Sequence, residues 1–128
     1  MFKNYFATGS IFCGIAVLLG AFGAHALKSI LTSESLQSFQ TAVQYQMLHG
    51  MAILIVGLIS EKNQKKNLAV VSQLFSMGII FFSGSIYLLS FLKYQSIDFP
   101  SIIALVTPIG GLFMIIGWFS LAWTFLRK

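Results

Sequence analysis

The stretch Ile53-Leu-Ile-Val-Gly-Leu-Ile-Ser-Glu-Lys-Asn-Gln-Lys-Lys-Asn-Leu-Ala-Val-Val71 decides the fold. An apolar run stops, a short polar and mostly basic loop follows, and a second apolar run starts. The pattern repeats along the chain. Apolar runs cover about Tyr5 to Leu27, Thr41 to Ser60, Leu68 to Leu92 and Ser101 to Leu126. Each is close to the roughly 20 residues needed to cross a hydrocarbon layer of about 30 Å. A segment crossing lipid must satisfy its own backbone, so the runs predict helices. They lack the strict alternation that barrel strands require.

Composition points the same way. Of 128 residues, 57% are hydrophobic and 9% charged, against about a quarter charged in ordinary soluble domains. A soluble chain this small could not bury that much apolar surface in one core. The length fits a single domain, residues 1–128. The lone cysteine, Cys13, excludes an intrachain disulfide and a Cys-rich metal site and reads as a small packing residue. The net charge of +5 has no basic stripe with interleaved aromatics, so no nucleic-acid partner is expected.

The charge reads instead as topology. With four spans, Lys3, Lys62, Lys65, Lys66, Arg127 and Lys128 fall on one side with Glu61. Lys28 and Lys93 fall on the other with Glu34 and Asp98. Basic loops stay cytoplasmic, which predicts both termini inside. The expected fold class is therefore an all-α membrane protein, a four-helix transmembrane bundle with both termini cytoplasmic, multi-pass in the plasma membrane. Trp118, Trp123 and Tyr94 read as interfacial aromatics, although Trp118 lies deep for that role.

Thr32 and Ser33 can cap a helix, and Leu36, Phe39, Val43 and Met47 recur at helical spacing behind them. An amphipathic extension of the second span over about residues 33–40 follows; a separate interfacial helix is the alternative. Asp98 near a helix start and Pro100 in its first turn suit the last span. Pro108 is expected to kink that span by removing a bond to the carbonyl of Ala104, with Thr107 near the freed group. Lys3, the first apolar run and Ala24-His25-Ala26 also resemble a signal peptide. The long run and single basic residue favour a retained helix.

Small residues suggest packing ridges: Ala16, Gly20 and Ala24 in the first span, Ser83 and Gly84 in the third, Gly110 and Gly117 in the fourth. The sharper feature is polar. Thr41, Tyr45 and His49 are spaced by four, Gln44 and Gln46 lie beside them, and His25 occupies the same half of the membrane on the first span. A contact between His25 and Gln44, Tyr45 or His49 is one expectation. Buried polar groups in lipid face the bundle interior and are candidates for function. Two histidines could relay protons or ligate haem or a metal. No third strong ligand stands near them, so no metal or cofactor is expected. An interhelical hydrogen-bond network is the more economical reading. No carboxylate lies within a span, which disfavours a carboxylate-driven antiporter.

Gly20-Ala-Phe-Gly-Ala-His-Ala-Leu27, Phe39-Gln-Thr-Ala-Val-Gln-Tyr-Gln-Met-Leu-His49, Phe82-Ser-Gly-Ser-Ile-Tyr87, Thr107-Pro-Ile-Gly-Gly111 and Gly117-Trp118 occur in order across the four spans. Together they resemble the YgdD/YwdK-like family of small four-helix membrane proteins of unknown function. The resemblance implies a bacterial plasma-membrane location and matches His25, Gln44, Tyr45, Gln46, His49, Ser83, Ser85 and Thr107. It implies no substrate and no catalytic residue. The expected function is non-enzymatic: a bundle that binds membrane lipids or a partner membrane protein, with a homo-oligomer as a further candidate. The alternatives are a small oligomeric transporter or channel and, behind it, a His-based redox or metal protein.

Overall fold

A computed structural model describes residues 4–127; Lys3 and Lys128, counted in the charge pattern above, lie outside them. The four helices are α1 (Tyr5–His25), α2 (Ser33–Lys62), α3 (Lys66–Tyr94) and α4 (Val106–Leu126). All four are long and apolar enough to cross a membrane, α4 together with the 3₁₀ turn before it.

The ends follow from local chemistry. The Asn4 side chain accepts from Ala7 N at 3.1 Å and caps α1. Thr32 caps α2 by accepting from Ser35 N at 3.1 Å, and Glu34 sits in the first turn, where the helix dipole favours an anion. At 30 residues, α2 is about 45 Å long, longer than the hydrocarbon layer. Its first turns are continuous with the span, so no separate helix precedes it.

The fourth segment departs from expectation. Residues Ser101–Leu105 form a 3₁₀ turn behind Pro100, and α4 starts at Val106. Pro108 thus stands in the first turn of α4, where backbone amides have no intrahelical partner in any case. The chain resolves the missing N–H by changing helix type before the proline, not by kinking a continuous helix. Thr107 does not cover a freed carbonyl; its hydroxyl lies 2.6 Å from that of Ser85.

Successive helices run antiparallel. Gly9 meets Gly50 while Gly23 meets Phe39, Ser83 meets Ala42, and Lys65 at the start of α3 reaches Thr124 near the end of α4. Packing is serial: α1 lies on α2, α2 on α3 and α3 on α4, with no substantial contact between α1 and α4. The central pair α2 and α3 holds most of the buried surface, and the flanking helices turn broad apolar faces to lipid.

Glycine sets the separations. A Cβ on Gly9 would stand 2.7 Å from the carbonyl oxygen of Gly50, so α1 and α2 cross backbone to backbone. A Cβ on Gly110 would overlap the backbone nitrogen of Phe82, which fixes α4 against α3 in the same way. The seam of α1 is Gly9, Cys13, Ala16, Gly20 and Gly23, a spacing of alternating four and three. That is the 3.5-residue period by which two right-handed α-helices keep one seam in contact. Ala24, expected on a strict four-residue ridge, is exposed because that ridge drifts off the seam. Gly84 also leaves the packing set, since a Cβ there would meet nothing within 4 Å.

Candidate functional site

The interior of the bundle carries a polar network across all four helices. Gln46 is buried on α2. Its amide Nε2 donates to the Phe12 carbonyl of α1 at 2.9 Å, and its Oε1 accepts from the Tyr87 hydroxyl of α3 at 2.8 Å. The two partners fix the orientation of the carboxamide, because a carbonyl only accepts. Three residues on, His49 is 2% exposed. Its Nδ1 lies 2.8 Å from the Tyr45 carbonyl, and its Nε2 accepts from Trp118 Nε1 at 3.0 Å.

These contacts fix the tautomer. Indole N–H can only donate, so Nε2 must be the acceptor; the Tyr45 carbonyl can only accept, so Nδ1 carries the proton. Both ring nitrogens of a neutral imidazole are then occupied. His49 has no lone pair left for a metal or haem iron and no vacant position for an incoming proton unless Trp118 lets go. The ring is held on its faces as well, stacked on Tyr45 at 6.0 Å and met by the edges of Phe75 and Trp118 at 5.3 and 5.8 Å. Among the described residues no group of three His, Cys, Asp or Glu could hold a metal ion.

Other hydroxyls at this depth are paired too. Ser83 donates to the Ala42 carbonyl at 2.7 Å, joining α3 to α2. Ser85 donates to the Phe82 carbonyl at 2.9 Å, which leaves Thr107 as the donor to Ser85. Ser72 is the exception: its hydroxyl is buried without a partner among the described residues.

The structure therefore divides the polar candidates. It brings Tyr45, Gln46 and His49 into the interior network, although Tyr45 is half-exposed and contributes its ring and carbonyl. It does not bring His25 to them. His25 is exposed in the last turn of α1, and its side chain makes no hydrogen bond among the described residues. Gln44 is exposed on the opposite face of α2, beside the groove with α1. Thr41 bonds back to the Gln37 carbonyl at 3.0 Å and faces a separate cleft. Two partners in the network escaped sequence reading. Trp118 is 42% exposed and sits mid-helix because its indole serves His49, and its depth was the available signal. Tyr87 carries a polar tip into an apolar span, which by itself demands a partner.

The cleft bordered by Thr41 is the second polar feature. It lies at the end of the bundle opposite the Asn63–Lys65 loop, between the first turns of α2, the last turns of α3 and the start of α4, with a volume of about 380 Å³. Glu34, Ser35, Gln37, Ser38, Ser90 and Lys93 supply polar walls, and Ile86 and Leu89 an apolar floor. Ser35 and Ser90 are each only 7% exposed, and neither hydroxyl has a hydrogen-bond partner among the described residues. Their hydroxyl oxygens keep access to the cleft, unlike that of Ser72. Sequence reading gave these serines no weight, because serine in the end turn of a helix is ordinary.

Counting about 20 residues, or ~30 Å, from the basic loop places this cleft in depth. From Glu61 along α2 the count ends at Thr41; from Lys66 along α3, at Ile86; from Arg127 back along α4, at Thr107. All three residues line the cleft. By that count the cleft opens at the far edge of a layer of about 30 Å. A smaller apolar cavity of about 170 Å³, between α1, α2 and α3, shares Ser90 with it and is walled by Leu19, Phe22, Phe39 and Phe91.

Comparison with known proteins agrees with a membrane bundle. The family model described as "Protein of unknown function (DUF423)" matches residues 19–111. A UPF0382 membrane protein of Staphylococcus saprophyticus is 39% identical over 93% of this chain and 93% of its own length. One from Haemophilus influenzae is 41% identical over 91% of this chain and 86% of its own. The UPF0382 membrane protein YwdK of Bacillus subtilis is 36% identical over 91% of this chain and 90% of its own. These three names carry no activity. No solved structure matches.

Proposed function

For a chain that belongs to the DUF423 family of multi-pass membrane proteins, we propose a non-enzymatic role: a plasma-membrane bundle that binds a membrane lipid in its end cleft. The observation that carries the reading is the pair of largely buried serines, Ser35 and Ser90, whose hydroxyls have no partner among the described residues and stay open to a cavity at the end of the bundle. The shared wall at Ser90 supports it: one residue lines both a polar cleft and an apolar cavity, the two environments an amphiphile needs side by side. The interior network is structural glue, since its side chains occupy one another. Both termini are cytoplasmic in this reading, because the basic residues concentrate at their end.

A transport path through one chain is disfavoured. Ile53, Val56, Leu68, Val71, Phe75 and Met114 pack together between α2, α3 and α4 beyond the network. Self-association is compatible with lipid binding. Gln44 stands about one turn inside the hydrocarbon with its carboxamide exposed, and an amide both donates and accepts, so two copies can satisfy each other across a twofold axis.

One experiment addresses the proposal. The protein is purified in a mild neutral detergent, and its mass and bound lipid are measured after size exclusion. Lipid retained at fixed stoichiometry, and a rise in unfolding temperature when lipid is restored to stripped protein, are the expected results. Protein that emerges lipid-free and is indifferent to added lipid would overturn the reading.

A further inference from the structure

We infer that the end cleft selects a zwitterionic phospho-ammonium group, the chemistry of an ethanolamine phospholipid head, through Lys93 and Glu34. The inference rests on the lipid-binding reading and names what that site recognises. Its starting point is that the two charges in the cleft do not neutralise each other. Glu34 and Lys93 line the same cavity from α2 and α3, yet no ion pair joins them among the described residues. One fixed positive and one fixed negative charge on different helices, with polar walls between, complement a ligand carrying both signs a few bonds apart. A purely anionic head would satisfy Lys93 and be repelled by Glu34; a purely cationic one would do the reverse.

The uncharged walls sharpen the choice. Ser35 and Ser90 line the cavity, and their hydroxyls have no hydrogen-bond partner among the described residues. A hydroxyl donates to a phosphate oxygen, and hydrogen bonds to an ionised group are stronger than neutral ones. Glu34 and the Gln37 carbonyl oxygen of the side chain can accept from an ammonium with free N–H bonds. A quaternary choline has no such N–H and would leave those acceptors unmatched. The selected group therefore carries a primary ammonium. The residue count along the helices agrees, and Ser90 lines both the cleft and the apolar cavity.

The test uses full-length protein stripped of lipid in neutral detergent. Phosphatidylethanolamine, phosphatidylcholine and phosphatidylglycerol of identical acyl chains are added in turn, and retained lipid is counted by native mass spectrometry. The expected result is about five- to tenfold greater retention of phosphatidylethanolamine than of either other lipid, a preference that falls to near parity in Glu34→Gln and Lys93→Gln. Both side chains are exposed, so the variants should keep wild-type helicity. Soluble phosphoethanolamine forms a separate arm. If it alone raises the unfolding temperature as the lipid does, the same site serves a free zwitterion; if only the lipid does, the lipid is the ligand. Retention that ignores head group, or a preference unchanged in both variants, overturns the inference and leaves lipid binding standing. No retention of any lipid, with no response to phosphoethanolamine, overturns both.

Discussion

The middle and the end of this bundle treat polar groups in opposite ways. Around His49 the network closes: Trp118 serves the imidazole, Tyr87 and the Phe12 carbonyl serve Gln46, and Ala42 serves Ser83. At the end cleft, Ser35 and Ser90 are largely buried residues whose hydroxyls stay open to the cavity and have no partner among the described residues. The difference teaches where to look for function in a membrane bundle. Histidine draws attention by its chemistry, but a histidine with both nitrogens engaged is finished as a ligand. A plain serine beside a cavity is not. Ser72 marks the contrast, because its unpartnered hydroxyl is fully buried and has no access to solvent.

The largest expected effect tests whether the middle is rigid enough to hold its network closed. Gly110→Ala places a methyl group against the backbone of Phe82, where no side chain can swing away. The two helices must separate, at a cost of about 3 kcal/mol or more. Gly84→Ala, which meets nothing within 4 Å, is the matched control and should leave stability unchanged. Unfolding in mixed micelles, with steric trapping where the transition is incomplete, reads both. Equal behaviour of the two variants would mean that α3 and α4 are not held at this separation.

The next effect is smaller and falls on the network. His49→Leu removes the acceptor of Trp118 and should destabilise by about 0.6 kcal/mol, the average for interhelical hydrogen bonds in membranes, and by no more than about 1.7. Indole fluorescence of Trp118 should shift with it, because the ring loses its only hydrogen-bond partner. A loss several times larger would mean that His49 holds something beyond Trp118, and the contrast between middle and end would collapse.

How much of this was legible beforehand follows from the physics of lipid. Four helices could be read from apolar runs and charged loops because a span must close its own hydrogen bonds, and no other local structure does so. The seam was harder. Small residues every four positions pointed to Ala24, whereas the 3.5 period of a helix pair puts Gly23 against Phe39, and only the crossing angle decides between them. Pro108 read as a kink because sequence does not say where a helix begins; a 3₁₀ turn ahead of it moved the proline into a first turn. Gln46 and His49 were legible as polar residues on a buried face, but their partners lie 41 and 69 residues away. The serines of the cleft were illegible for a different reason. Their meaning lies in a missing partner, and absence of a contact leaves no mark in a sequence.

The smallest stability effect is the sharpest test of the comparison. Ser90→Ala removes a hydroxyl that has no partner among the described residues, so lipid-free protein should unfold at the wild-type temperature or slightly above it. The same variant should retain less lipid, because a donor has been taken from the wall shared by the polar and apolar cavities. The two readouts must diverge. A structural hydroxyl would lower stability with or without lipid, as removing a member of the His49 network would. A hydroxyl that only lines solvent would change neither. Only a group held in reserve for a ligand changes binding while leaving the bare fold alone, and that is the property that sets the end of this bundle apart from its middle.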